Sequence, residues 1–247
     1  MIGGLNPHFL ATRAPIPHQG TTDIDLLFAL GFDNIADSSD FSWVDTALAA
    51  GGFTSINGWR WNALRGNAQV RLEFLCDIWD HIGDTVPLPG SRSAVASKIA
   101  GPAAALHAPV ERQLVVSARV RADTPEPPET VSLRFASLGG YLLAKAAAAQ
   151  SRMLAKDKYD LMYVILYNEG GPREAARAVA RQLVATMDSS DPVEIRRVVN
   201  RYLDPEGSWS GVFAETMIGT GDSATEDQLR VDAAEGARSF LDELESA

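Results

Sequence analysis

Cysteine is almost absent from this chain, with Cys76 alone among 247 residues, and that excludes an internal disulfide framework. Histidine is nearly as scarce: His8, His18, His81 and His107 are scattered without the spacing of a zinc site, so a His/Cys metal centre is not expected. No run of 18 or more apolar residues occurs, which leaves no membrane-spanning helix to be read from the sequence. Met1 leads straight into Ile2-Gly3-Gly4 with neither a basic segment nor a small-residue cleavage site, and the expectation is a cytoplasmic protein that does not engage a membrane. An overall basic charge is lacking too, the net charge being −10.

What is present is an ordinary globular composition, 46% hydrophobic and 22% charged, in a chain long enough for a large core. The acidity is concentrated at one end. From Asp204 onward 11 Asp/Glu stand against 2 Arg, so 20 basic and 21 acidic groups precede them. A near-neutral body with local basic patches can bind RNA, which a uniformly acidic chain would repel. The acidic end itself reads as the solvated face of a helix.

The chain is organised around Gly20-Thr21-Thr22-Asp23-Ile24-Asp25-Leu26-Leu27, a turn running into an apolar strand. Residues i and i+2 of a strand share a face, so Asp23 and Asp25 point the same way. Two close carboxylates repel unless a cation sits between them, and oxygen ligands of this kind suit Mg²⁺ bridging nucleotide phosphates. A solvated strand end is the plain alternative. Upstream, the glycine turn at Gly3-Gly4 would allow backbone N–H groups close to a phosphate.

Asn6 to Gln19 begins as a short helix and becomes a loop at Pro15 and Pro17. A polar segment with Asp33, Asp37 and Asp40 precedes an amphipathic helix with Trp43, Val44, Ala47 and Leu48 on one face, closed by Gly51-Gly52. Strands are expected over Phe53–Ile56, Trp59–Leu64 and Val70–Leu75, the last two joined by a turn at Arg65-Gly66-Asn67. Glu73 falls inside the buried pattern of the last strand. It reads either as a third acid beside Asp23 and Asp25 or as a partner of Arg71 on its own face. Cys76, after this strand, reads as a buried inert thiol.

The stretch from Asp77 to Pro109 reads as loop-rich, punctuated by Pro87, Pro89-Gly90 and Gly101-Pro102. Two further strands are expected over Leu114–Val120 and Val131–Phe135, linked by the proline-rich Thr124-Pro125-Glu126-Pro127-Pro128-Glu129. From Leu138 the pattern is helical to the end, which divides the chain into an α/β domain over 1–136 and a helical domain over 137–247. Lys145 is the one charge in Tyr141–Ala149, and either snorkels outward or reaches a phosphate. Asp157 and Asp160, at i and i+3 of the next helix, share a face in its first turn, where the macrodipole favours anions. Arg173, Arg177 and Arg181 form a ladder on a helix opened by Gly170-Gly171-Pro172, and Arg196, Arg197 and Arg201 follow one opened by Asp191-Pro192. These arginines read as ion-pair partners of Glu174 and Glu194 or as a groove for nucleic-acid phosphates. A final helix from about Thr225 carries Leu229, Ala233, Phe240, Leu241 and Leu244 inward.

Three motifs in order resemble the AbiEii/AbiGii-type nucleotidyltransferase toxins, which belong to the DNA polymerase β-like superfamily and include the MenT toxins. They are Gly3-Gly4 with Thr21-Thr22-Asp23-Ile24-Asp25-Leu26-Leu27, then Val70-Arg71-Leu72-Glu73-Phe74-Leu75, then Leu142-Leu143-Ala144-Lys145 with Arg152 and Lys156-Asp157-Lys158-Tyr159-Asp160-Leu161. The resemblance spans roughly residues 1 to 170. It implies an α+β fold, a mixed sheet flanked by helices and followed by a helical domain that closes the active-site cleft. It implies Mg²⁺ (or Mn²⁺) on Asp23, Asp25 and Glu73, nucleotide contacts from Gly3, Gly4, Thr21, Thr22, Lys145 and Asp157, and a catalytic part for Asp160. The implied activity is transfer of a nucleoside monophosphate from an NTP to an acceptor hydroxyl, with RNA such as a tRNA 3′ end as acceptor and a cognate antitoxin as partner. An acceptor that is a small molecule or a protein, and a non-catalytic relative that binds nucleotide or a partner, are the rival expectations.

Overall fold

The computed structural model describes residues 1–30, 40–78, 82–118, 128–186 and 192–247, the side chain at 192 excepted. Asp33, Asp37, His81, Asp191, the end of the strand expected over Leu114–Val120 and the proline-rich link over 124–127 lie outside the described residues.

The expected α+β architecture is present: strands occupy the first part of the described chain and helices the last. After a short 3-10 turn at Gly3–Leu5 come helix α1 (Asn6–Leu10), strand β1 (Asp23–Phe28), helix α2 (Ser42–Ala50) and strands β2 (Thr54–Ser55), β3 (Arg60–Arg65) and β4 (Ala68–Cys76). Strands β5 (Thr85–Pro87) and β6 (Val95–Lys98) follow, inside the stretch expected to be loop-rich. They are short and pair with each other as a hairpin, and it is β6 that joins the sheet, through its pairing with β4 and through Val95 N–H to Gly58 O and Ile99 N–H to Cys76 O. That pairing is long-range, and no local periodicity announces it.

β4 is the hub of the sheet. Along one edge it pairs with β1 in parallel, and along the other it pairs first with β3, antiparallel, and then with β6, in parallel. Side chains alternate, so β1 and β4 each present two faces. Leu26, Phe28, Leu72, Phe74 and Cys76 pack with Val44 and Leu48 of α2 in one apolar cluster. Burying a side chain as large as Phe74 contributes about 2–3 kcal/mol. Asp23, Asp25, Arg71, Glu73 and Leu75 occupy the opposite face. In α2 only Val44 and Leu48, one turn apart, reach the sheet; Trp43 and Ala47 are exposed, a correction to the four-residue face expected. The helix is too short, and touches the sheet along too narrow a stripe, for four positions to be covered.

Strands β7 (Val110–Val115) and β8 (Thr130–Phe135) form a separate two-stranded ribbon. The chain start is threaded between this ribbon and the main sheet: Ala136 N–H donates to Met1 O at 2.9 Å, and Ile2 N–H donates to Asp25 O at 3.0 Å.

The helical part comprises α3 (Leu138–Arg152), α4 (Ala155–Tyr167), α5 (Gly171–Ala185), α6 (Pro192–Asn200), α7 (Ser208–Gly219) and α8 (Glu226–Ser246). α3 starts at Ser137, whose Oγ accepts the Gly140 N–H, as an N-cap should. α4 is apolar on all sides over Leu161–Ile165 and fully buried there, which makes it the central helix of the larger core. That core is continuous with the sheet, since Ile2, Leu75, Ala104 and Ala136 belong to it together with α3 and α4. No described helix is long and apolar enough to cross a membrane.

Candidate active site

Strand register builds one wall of the site. Asp23 stands opposite Arg71 and Asp25 opposite Glu73 across β1–β4, while Asn62 stands opposite Arg71 and Arg60 opposite Glu73 across β3–β4. Two charged rows result, Asp23–Arg71–Asn62 and Asp25–Glu73–Arg60, on the face away from α2. Arg71 Nη1 lies 3.1 Å from Asp23 Oδ1, and Arg60 Nε lies 2.7 Å from Glu73 Oε1. Arg71 is therefore not the partner of Glu73. Neighbours in register are about 4.8 Å apart, whereas i and i+2 of one strand are about 6.6 Å apart, so the cross-strand partner is nearer.

Asp25 makes no ion pair among the described residues. Burial, then the negative charge of Glu73, raise its pKa to about 6, against an opposing pull from Lys145. Its carboxylate lies against Gly3, which has φ +81; a Cβ at that glycine would stand 1.7 Å from Asp25 Oδ2. Gly3 is thus required by both its backbone conformation and the seat of the acid.

Helices α3 and α4 build the other wall. Lys145 Nζ lies 2.9 Å from Asp157 Oδ1 and 2.8 Å from Asp160 Oδ2. All three residues are buried, so the lysine does not snorkel outward. Arg152 adds a second cation 2.9 Å from Asp157. His18 Nε2 lies 2.8 Å from Asp160 Oδ1, and Lys156 Nζ lies 3.5 Å from the same oxygen. Gly20 N–H donates to His18 Nδ1, so the ring proton is on Nε2 and is given to Asp160. Burial alone would raise the Asp160 pKa, but Lys145, His18 and Lys156 together hold it well below the usual carboxylate range. Burial alone would lower Lys145, and Asp160 and Asp157 outweigh it and raise its pKa.

The segment that delivers the chain to β1 is strapped along α4. Arg13 N–H donates to Tyr167 O, the Tyr163 hydroxyl to Ile16 O, and Lys156 to Gly20 O. The strap sets where β1 starts relative to the helix wall.

Between the walls lies a cavity of about 350 Å³. Gly3, Asp25, Glu73, Lys145 and Arg152 line it, with Trp59 and Tyr141 as its aromatic members. Of the residues singled out in the sequence, Gly3, Asp25, Glu73 and Lys145 are brought together here. Gly4, Thr21, Thr22 and Asp23 are beside it as framework: Thr21 packs on Gly4, its Oγ1 accepts the Asp23 N–H, and the Thr22 hydroxyl donates to Asp23. Asp157 and Asp160 stand behind Lys145. No local signal marks the role of His18, which sits in a proline-marked loop, or the part played by Arg60. The Arg60 pairing follows from the β3–β4 hairpin register once the turn at Gly66 is placed.

Among the described residues no group of three or more His, Cys, Asp or Glu is gathered to hold a metal ion. Among the described residues the acids lining the cavity are Asp25 and Glu73, while Asp23 stands outside it, paired with Arg71. Mg²⁺ commonly takes one or two carboxylates and completes its octahedron with water and substrate phosphate oxygens. The raised pKa of Asp25 marks negative charge that a cation would relieve. Asp25 and Glu73 therefore fit a divalent ion shared with a phosphate ligand.

No family model, curated protein or solved structure matches the chain.

Proposed function

We propose that the chain is a Mg²⁺-dependent nucleotidyltransferase that moves a nucleoside monophosphate from an NTP to an acceptor hydroxyl. The observation that carries this reading is the parallel register that sets Asp25 beside Glu73 at a cavity, with Gly3 under the first acid and Lys145 and Arg152 on the facing wall. Asp25 and Glu73 would hold the ion, which when bound neutralises charge on the α-phosphate and the leaving pyrophosphate. Lys145 faces the triphosphate as a fixed positive group, its ammonium held in place by Asp157 and Asp160. Arg152, whose side chain is 57% exposed and paired with Asp157, offers a second positive charge at the same wall. Arg60 holds Glu73 in the orientation that faces Asp25.

RNA, in particular a tRNA 3′ end, is the acceptor this reading favours, in the setting of a toxin–antitoxin or phage-defence pair. The arginine ladder of α5 adds little to it, because Arg181 pairs with Glu174 and Arg177 with Glu243 of α8. A second reading, a non-catalytic nucleotide binder, is favoured by the engagement of Lys145 by two aspartates, of Asp23 by Arg71 and of Glu73 by Arg60, which among the described residues leaves Asp25 as the one acid at the cavity without an ion pair.

Incubation with each labelled NTP, Mg²⁺ and total RNA tests the proposal, comparing wild type with Asp25→Ala and Lys145→Ala. Label transfer by the wild type that is lost in Asp25→Ala is the expected result, and equal transfer by all three overturns the site. Mg²⁺–NTP binding without pyrophosphate release on any acceptor decides for the second reading.

A further inference from the structure

The face of α3 that meets the cavity reads Tyr141, Ala144, Lys145, Ala148, Ser151 and Arg152, the i, i+3, i+4, i+7 stripe of a helix. Exposure falls along it from Arg152 at the helix end, through Lys145 at 6%, to Tyr141 at 1%. Tyr141 is the inner end of the stripe. Its hydroxyl is buried and has no hydrogen-bond partner among the described residues. Two other tyrosines of the same core are served differently: the Tyr163 hydroxyl donates to Ile16 O at 2.7 Å and the Tyr202 hydroxyl donates to Lys158 O at 2.6 Å. The Tyr159 hydroxyl is also buried without a partner among the described residues, but Tyr159 is not among the residues that line the cavity, whereas Tyr141 is.

Buried hydroxyls are nearly always paired, and one that is not calls for an explanation. Burial, then the charges of Asp160, Asp157 and Asp25, keep the Tyr141 phenol protonated, so it acts as a donor. The described residues around it supply no oxygen in hydrogen-bonding position, and Tyr141 lines the cavity, from which one can arrive. Ala144 and Ala148 keep that space open, because each places only a methyl group on the stripe between Tyr141 and Arg152.

We propose that Tyr141 is a ligand-binding residue of this pocket, its hydroxyl donating a hydrogen bond to an oxygen of a bound Mg²⁺–nucleoside triphosphate. The assignment rests on the nucleotide reading of the cavity and adds to it a residue at the inner end, on the opposite wall from Asp25 and Glu73. A ligand that reaches Tyr141 also passes Lys145, so the tyrosine reports occupancy of the full length of the pocket.

Tyr141→Phe in the full chain is the test, with two readouts. Without ligand, the thermal midpoint should be unchanged or higher, since no bond within the protein is lost; a lower midpoint shows that the hydroxyl is bonded inside the fold and overturns the assignment. With Mg²⁺ and each of the four NTPs, the affinity of whichever binds the wild type should fall about tenfold, the usual worth of one donated hydrogen bond to a charged or polar oxygen. Equal affinity in Tyr141→Phe overturns this assignment and leaves the nucleotide reading intact. Wild-type protein that binds none of the four overturns both.

Discussion

On the helix wall of the cavity Lys145 is held by Asp157 and Asp160, and Asp160 in turn by His18 and Lys156. On the sheet wall Arg71 takes Asp23 and Arg60 takes Glu73, while Asp25 has no ion-pair partner among the described residues. The consequences run in opposite directions. Asp160, fully buried, is held more acidic than an ordinary aspartate, and Asp25, less buried, is driven up to about 6. Burial alone therefore does not decide the state of a carboxylate; the number of cations that accompany it does. A compensated network is a structural device, and an uncompensated carboxylate beside a second one is where a ligand's charge is wanted.

The comparison can be broken most forcefully from the helix side. Asp160→Ala leaves buried Lys145 with one partner, and its expected cost is about 3–5 kcal/mol in chemical denaturation. A loss below about 1 kcal/mol, the worth of an exposed pair, would show that the network is not compensating a buried charge. Asp25→Asn should move stability the other way. The folded-state pKa of Asp25 lies above its ordinary value of 3.8, so the native state holds the proton more firmly than the unfolded chain. Wild-type stability from this group is intact below that value and declines as pH rises through about 6. At about pH 8 the variant should therefore be the more stable by about 3 kcal/mol, and the two should converge below about pH 4.

Two smaller effects sharpen the contrast. Ala148→Leu places a larger side chain in the cavity without touching a charge, so Mg²⁺–NTP affinity should fall at least about tenfold while the unfolding midpoint changes little. Unaltered affinity would place the ligand elsewhere. Arg60→Ala removes a half-exposed partner of Glu73, and its cost should stay below about 1 kcal/mol by denaturation; a larger loss would make the sheet wall as compensated as the helix wall.

Much of this arrangement was legible in the sequence where local periodicity or propensity decides structure. The alternation Asp23-Ile24-Asp25-Leu26 and Arg71-Leu72-Glu73-Phe74 announced two-faced strands, and the alanine-rich run after Gly139-Gly140 announced α3. The turn at Gly3-Gly4 is present as expected, with Gly3 and not Gly4 in the left-handed region. Cys76 is buried as expected, with its thiol pushed up to about 11 by burial. The pairing of charges was not legible. Whether Arg71 meets Glu73 or Asp23 depends on the register of β1 against β4, which joins residues about fifty positions apart and leaves no trace in either segment. His18 is hidden for the same reason: it reaches Asp160 only because the loop before β1 lies along α4. β5 and β6 were missed because strands of three and four residues carry too little alternation to be seen.

The central claim is that Asp25 is a carboxylate in want of a cation. The most direct measurement is the NMR titration of its side-chain carboxyl carbon, without and with Mg²⁺. The account predicts a midpoint near 6 that falls when the ion is added. A midpoint at the ordinary aspartate value of about 3.9, indifferent to Mg²⁺, would contradict it.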